Sequence, residues 1–366
     1  MLVGICGGIC AGKHTVAEYL VQQHGFLRLH LPTKPASLFS DQDEQDAKRL
    51  LPTVADEKGT RGLTFPDVDA LLDFVTKRWR EHWVLTDIWD DAILELLLRR
   101  PFFMLISIDA PVGLRYERFS ARCAKRSLTP ASLVKFISWS DTHLYSPTPE
   151  THLGIAYLSS RAHLQILNHF NTFKPFHAYL EQLAVTSPDR LRPTWDAYFM
   201  TLASLAAQRS NCMKRRVGCV LATSTHRVIS TGYNGTPRGI RNCNEGGCDR
   251  CNKGPGAGAG LSTCLCLHAE ENALLEAGRE RIRDGSILYC DTCPCLTCSV
   301  KITQVGISEV VFSQSYNMDD ASAAIFAEAG VKLRQFSPPR TGLIKFDHDG
   351  EVSESNGQEM VVRNGY

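Results

Sequence analysis

Apolar positions along the chain change period several times, and each change marks an element. LVGIC (2–6) is a short continuous apolar run, the pattern of a buried strand, and GGICAGKHT after it is a glycine-rich turn. VAEYLVQQHG then has helical spacing and closes on Gly25, a helix stop. The polar stretch SDQDEQDAKRL (40–50) reads as a surface loop. Beyond it, VDALLDFVTKRW is a helix, HWVLTDI a buried strand, AILELLLRR a helix, FFMLISIDA a second buried strand and RYERFSARCAKR a basic helix. LQILNHFNTFKPFHAYLEQLAV closes the series as strand and helix. Strands alternating with helices predict a parallel sheet with helices on both faces.

SPDRLRP (187–193) reads as a linker, after which the pattern restarts. TWDAYFMTLASLAAQRS is an amphipathic helix, and VGCVLAT and RVISTGYNG are two strands joined by a short turn. A Gly/Cys-rich insertion follows (238–260). Next come a helix from Ala269 to Ala277, the strand SILYCDT, the helix CLTCSVKITQVG, the strand EVVFSQ, the helix ASAAIFAEAG and the strand VKLRQF. The pattern predicts two α/β domains, 1–188 and 189–337, and a polar tail over 338–366 expected to be disordered.

Composition narrows this only slightly. The chain has 366 residues, enough for two domains, and its 43% hydrophobic and 22% charged content is ordinary for globular proteins. A formal net charge of +1 argues against a protein built to grip nucleic-acid phosphates. No apolar run approaches the roughly 18–20 residues of a membrane span. The N-terminal MLVGICGGICAGK lacks a basic leader, so the expected location is the cytoplasm, with the nucleus as an alternative.

Cysteine usage changes the picture more. Of 14 cysteines, Cys6, Cys10 and Cys123 precede residue 190 and the other 11 follow it, some as CxxC pairs. In a chain with reduced thiols, such clustering indicates metal. His268, Cys295 and Cys298 offer one imidazole and two thiolates. Cys295 and Cys298 lie one turn apart on one helix face, and Pro294 suits the start of that helix. Three ligands leave the fourth position of a tetrahedral zinc open to water, which separates a catalytic centre from a closed structural one. Glu270, two residues after His268, is placed to act as general base and acid. An H-x-E alone is noise and a lone CxxC is weak. In order, each at a predicted helix start with a strand between, His268-Ala269-Glu270 and Pro294-Cys295-Leu296-Thr297-Cys298 form the signature of zinc-dependent nucleobase deaminases. The competing reading is a structural zinc with Glu270 facing solvent.

From about residue 195 to 336 the chain resembles the deoxycytidylate (dCMP) deaminase family, most closely its fungal form. The stretches carrying the resemblance are NCMKRRVGCVL, ISTGYNGTPRG, NCNEGGCDRCN, CLCLHAEENALLEAGR, LYCDTCPCLTCSVKI and GISEVVFSQSY. The resemblance implies an α/β/α deaminase fold, catalytic Zn2+ and conversion of dCMP and water to dUMP and ammonia for thymidylate synthesis. It also implies nucleotide contacts from Asn234 and from a basic residue among Lys214, Arg215 and Arg216. Some phage relatives carry a second, structural zinc. Its ligands correspond to Cys212, Cys243 and Cys266, with the fourth open among Cys248, Cys251 and Cys264. Finally it implies a homo-oligomer, often a hexamer, with dCTP as activator and dTTP as inhibitor, Mg2+ accompanying the effector nucleotide. A deaminase acting on tRNA or DNA, or a zinc-stabilised binding module joined to a kinase, are the alternatives.

The N-terminal domain has its own motif. Gly7-x-x-x-x-Gly12-Lys13 follows a strand and opens a helix, the setting of a phosphate-cradling P-loop. A hydroxyl should follow the lysine to hold Mg2+, but His14 stands there and Thr15 comes one place late. Asp87 would be the acidic partner on a neighbouring strand. Asp109 with the arginine-bearing helix after it resembles nucleoside monophosphate and dephospho-coenzyme A kinases. The expectation is a P-loop kinase-like fold with three candidate duties: packing, nucleotide binding for regulation, or phosphoryl transfer.

Overall fold

The computed structural model describes residues 1–32, 62–145, 153–254, 260, 263–315 and 319–336. The polar stretch 40–50 and the tail 338–366 lie outside the described residues. The chain divides into two compact units, Met1–Tyr179 and Leu180–Arg340. No helix among the described residues is long and apolar enough to cross a membrane.

The first unit holds six strands: β1 (Leu2–Gly7), β2 (Leu27–His30), β3 (Gly62–Thr64), β4 (Trp83–Leu85), β5 (Phe103–Asp109) and β6 (Leu164–Leu167). All pairings are parallel, in the order β3-β2-β4-β1-β5-β6, as the strand–helix alternation predicts. β1 is buried throughout because it sits mid-sheet, covered on both faces. The helix α1 (Lys13–His24) starts at Gly12 (φ 116°) and ends at Gly25 (φ 68°), both left-handed positions that suit glycine.

Sequence reading missed the short strands β2 and β3 and the helix Leu133–Tyr145. β2 carries buried Arg28 and half-buried His30, and β3 is exposed, so neither shows an apolar run. The helix buries Phe136, Ser140 and His143 while Val134 is 78% exposed, which hides its amphipathic stripe.

In the second unit the sheet order is β11-β10-β9-β7-β8, from β7 (Gly218–Ala222), β8 (Val228–Tyr233), β9 (Ile287–Thr292), β10 (Glu309–Gln314) and β11 (Lys332–Gln335). β7 is antiparallel to both β8 and β9, whereas β9, β10 and β11 run parallel. Alternate residues serve opposite faces. Cys219, Leu221, Leu288 and Cys290 pack with the helices Ala269–Ala277 and Leu296–Gln304, while Val220, Ala222 and Tyr289 pack with Phe199, Met200 and Ala203 of the helix Trp195–Ala207. The result is an α/β/α sandwich.

Two glycines let the helices come this close. A Cβ at Gly232 would lie 2.1 Å from the Ala269 carbonyl oxygen, and one at Gly218 would lie 1.9 Å from that of Ala203.

Candidate metal centre and nucleotide cleft

Register gathers the site at one end of the second sheet. Gly218 pairs with Tyr233, and Cys219 with Cys290, so the end of β8, the start of β7 and the end of β9 lie together. Two helices begin at that end. His268 caps the helix Ala269–Ala277, and Cys295 caps the helix Leu296–Gln304, both in extended backbone conformation. Their first turns point unsatisfied N–H groups and positive dipole ends toward the centre, where thiolates are stabilised. Lys301 reaches Glu271 at 2.6 Å, and Asn272 donates to the Tyr233 carbonyl at 2.9 Å, tying the first helix to its neighbours.

His268 Nδ1 lies 3.3 Å from Cys295 Sγ and 3.4 Å from Cys298 Sγ. All three donor atoms lie within 4.8 Å of one another. A tetrahedral zinc with ordinary Zn–N and Zn–S bonds separates its N and S ligands by about 3.6 Å, so the set fits that ion. One imidazole and two thiols, half-buried to buried, are also the donor chemistry zinc prefers. Cys295 is pushed down to about 3, chiefly by its hydrogen bond with Cys298, and the same bond raises Cys298. His268 is raised, first by its hydrogen bond with Cys295.

Glu270 stands in the first turn of its helix and is 4% exposed. Burial pushes its carboxyl up to about 7, with the Cys295 and Asp291 charges adding to the rise and its own backbone N–H and His268 opposing it. A carboxyl poised near neutrality can both take and give a proton at physiological pH.

One cavity joins this centre to Lys214, Arg215, Asn234, Arg250 and Thr292. Of the basic trio, Lys214 and Arg215 line it, while Arg216 is exposed and outside the lining. Arg215 donates to Gln314 at 3.1 Å. Asn234 is buried and committed to the wall: its Oδ1 accepts from Val217 N (2.9 Å) and Ser210 Oγ (2.6 Å), and its Nδ2 donates to the Arg215 carbonyl (2.7 Å). It thereby fixes the loop that carries Arg215. Sequence reasoning missed Arg250 and Thr292. Thr292 ends a strand beside the motif, a position the predicted strand boundary already indicates, whereas nothing in the insertion singles out Arg250.

The six cysteines of the insertion and its flanks also converge. Cys212, Cys243, Cys251 and Cys266 form one set with sulfurs within 4.8 Å of one another, and Cys248, Cys251, Cys264 and Cys266 form another. Gly246 (φ 89°) permits the tight turn between Cys243 and Cys248.

In the first unit, the Gly7–Lys13 loop is occupied by its own neighbours. Lys13 Nζ donates to the Gly7 carbonyl at 3.2 Å and lies 4.1 Å from the centroid of the Trp89 ring. Burial lowers its pKa to about 8. Arg118 donates to the carbonyls of Cys10, Ala11, Asn168 and Phe170, and Asn168 Nδ2 to that of Ala11. His14 and Thr15 are both partly buried. Asp87 accepts from Leu31 N at 3.1 Å and faces His30 at 3.4 Å. Asp109 accepts from Ala110 N and sits 3.9 Å from Arg115.

Residues 193–314 match the family model described as the cytidine and deoxycytidylate deaminase zinc-binding region. The deoxycytidylate deaminase of Schizosaccharomyces pombe is 48% identical over 342 residues, which cover 93% of this chain and 99% of that protein. The deoxycytidylate deaminase of Saccharomyces cerevisiae is 47% identical over 274 residues, covering 74% of this chain and 86% of that protein. The crystal structure of a dCMP deaminase from cyanophage S-TIM5, in complex with dCMP and dUMP, is 29% identical, with a TM-score of 0.32, over 38% of this chain and 94% of that one.

Proposed function

The chain belongs to the deoxycytidylate deaminase family, and from that premise we propose that it hydrolyses dCMP to dUMP and ammonia with His268, Cys295 and Cys298 as zinc ligands and Glu270 as proton shuttle. The observation carrying this reading is a buried, near-neutral Glu270 beside the three converging donors, at one end of a cleft that also holds Arg215. When bound there, zinc supplies a Lewis acid that makes water a nucleophile near neutral pH.

The side chains do the rest. Glu270 takes the proton of the attacking water as oxygen adds at C4 of the pyrimidine, and returns it to ring N3. Glu270 then moves the remaining proton of the added hydroxyl to the exocyclic nitrogen, the C4–N bond breaks as the C4 carbonyl forms, and ammonia leaves. Arg215 and Lys214 supply positive charge for the 5′-phosphate, with Arg216 as the outer residue of the same loop. Asn234 holds that loop through its bonds to Val217 N and the Arg215 carbonyl and lines the cleft where the sugar would lie. Incubation in 18O-labelled water tests the reaction: dUMP carrying one 18O at C4 is expected, and recovered dCMP with no labelled product overturns the reading.

In this account, dCTP activates and dTTP inhibits a homo-oligomeric, hexameric enzyme, with Mg2+ on the effector. The family resemblance of the GYNG stretch (232–235) and the insertion supports this reading. Sigmoidal dependence on dCMP, made hyperbolic by dCTP, is expected; hyperbolic kinetics indifferent to both nucleotides would remove it. None of the 14 cysteines is in a disulfide, which suits a reducing compartment such as the cytoplasm.

For the first unit we infer a packing role. The loop carbonyls and Lys13 are engaged by Arg118, Asn168, Gly7 and Trp89. Equilibrium dialysis of the full chain with ATP, in excess of effector nucleotide, should show no additional bound nucleotide; a saturable ATP site lost in Lys13→Ala would overturn this.

A further inference from the structure

The two cysteine sets of the insertion overlap. Cys251 and Cys266 belong to both, Cys212 and Cys243 complete one, and Cys248 and Cys264 complete the other. These six form one cluster, four buried and Cys212 and Cys264 partly buried, whose members are all cysteines, with no aliphatic side chain among them. Packing alone does not explain a core of that composition.

The spacings are those of metal–thiolate edges. Sγ–Sγ distances are 3.8 Å for Cys212–Cys251, 3.8 Å for Cys251–Cys266, 3.6 Å for Cys251–Cys264 and 3.9 Å for Cys248–Cys264. A disulfide needs about 2.05 Å. A tetrahedron of sulfurs around zinc, with Zn–S bonds of about 2.3 Å, has edges of about 3.8 Å. Cys251 makes such a contact with members of both sets.

We propose that these six cysteines hold two zinc ions in one binuclear thiolate cluster, with Cys251 and Cys266 bridging, Cys212 and Cys243 terminal on one ion, and Cys248 and Cys264 terminal on the other. A single ion would use four sulfurs and leave two thiols stranded against them. Two divalent ions and six thiolates carry a formal charge of roughly −2, no more than one ion with four thiolates. The backbone donors fit the assignment. Met213 N points at Cys243 Sγ (3.4 Å) and Leu265 N at Cys248 Sγ (3.4 Å), and backbone N–H groups also reach Cys212. All three are terminal ligands, with lone pairs to spare for hydrogen bonds. The Arg250 guanidinium hydrogen-bonds Cys251 and Cys264 and offsets part of the negative charge.

The cluster clamps both sides of the cleft. Cys266 lies two residues before His268, and Cys212 lies three before Arg215. The proposal stands apart from the reaction assigned to the neighbouring centre, and its test is a metal count.

Native mass spectrometry of the zinc-loaded full chain should give three zinc ions per chain, and two in Cys295→Ser/Cys298→Ser, which lacks the neighbouring centre. Adding Cys248→Ser/Cys264→Ser should lower that count to one or none. In the wild-type chain loaded with 113Cd, two all-thiolate resonances coupled to each other are expected. Two zinc ions in the wild-type chain, a count indifferent to Cys248→Ser/Cys264→Ser, a single all-thiolate cadmium resonance, or a mass deficit marking a disulfide would each overturn the proposal. The wild-type count and cadmium spectrum need no variant to fold, and none of the readouts depends on turnover of dCMP.

Discussion

Glu270 stands apart, residue by residue, from its neighbours His268, Cys295 and Cys298. It donates nothing to the proposed zinc set, yet it is buried and near-neutral in pKa. Glu270→Gln keeps size and burial but removes the proton acceptor. It should lower kcat by about 10²- to 10⁴-fold while zinc content and Tm stay at wild-type values. Parallel loss of zinc would mean that Glu270 has a structural duty instead. Removing His268 should act differently: His268→Ala takes away one of the three proposed ligands, so zinc content and activity should fall together, by metal analysis and assay on the same sample. His268, Glu270, Cys295 and Cys298 were legible in the sequence because their arrangement is encoded in short-range spacing. Arg215 and Arg216 were not separable there. Adjacent in the chain, they differ only in which way the loop turns them, and that is set by Asn234 and Ser210 from elsewhere in the fold.

At the scale of elements, the sheet end matters because it fixes where two helices start. Gly232 lies under Ala269, between His268 and Glu270. In Gly232→Ala the new Cβ meets the Ala269 carbonyl oxygen, so the helix Ala269–Ala277 must shift. The expected cost is about 1–3 kcal/mol of stability with a drop in kcat, read by urea denaturation and initial rates. Unchanged stability and rate would show that the helix does not rest on this strand as described. Most elements of the second unit were visible as clean changes of period. The ones missed in the first unit had polar residues on their buried side, such as Ser140 and His143, or were too short to show a period, as in β2 and β3. The convergence of six cysteines was only half legible: spacing pointed to metal, but only the fold shows that two sets share Cys251 and Cys266.

At the scale of the whole molecule, the first unit carries a pH liability. Burial lowers His14 to about 4 and His143 to about 3, with the Lys13 charge adding to both shifts. Burial, with the nearby Lys13 charge, holds both histidines neutral in the fold; the hydrogen bond of His143 to the Gly7 carbonyl works against this by favouring the charged ring. The unfolded chain binds protons on them below about pH 6.5, whereas the folded chain does so only near 3–4. Stability is therefore full above about 6.5 and falls as pH drops through that window, by about 2 kcal/mol per histidine at pH 5. Denaturant melts of the full chain at pH 7 and pH 5 should show it, with the slope reduced in His14→Gln. An equal slope in that variant would remove His14 from the account.

Deamination of dCMP by this chain is read as ammonia release from dCMP, CMP, cytidine and dCTP, each supplied to the zinc-loaded full chain with and without dCTP as effector. Release from dCMP far above the other three, abolished in Glu270→Gln, is expected. Release from cytidine or CMP at an equal rate, or none from dCMP under any condition, would contradict it.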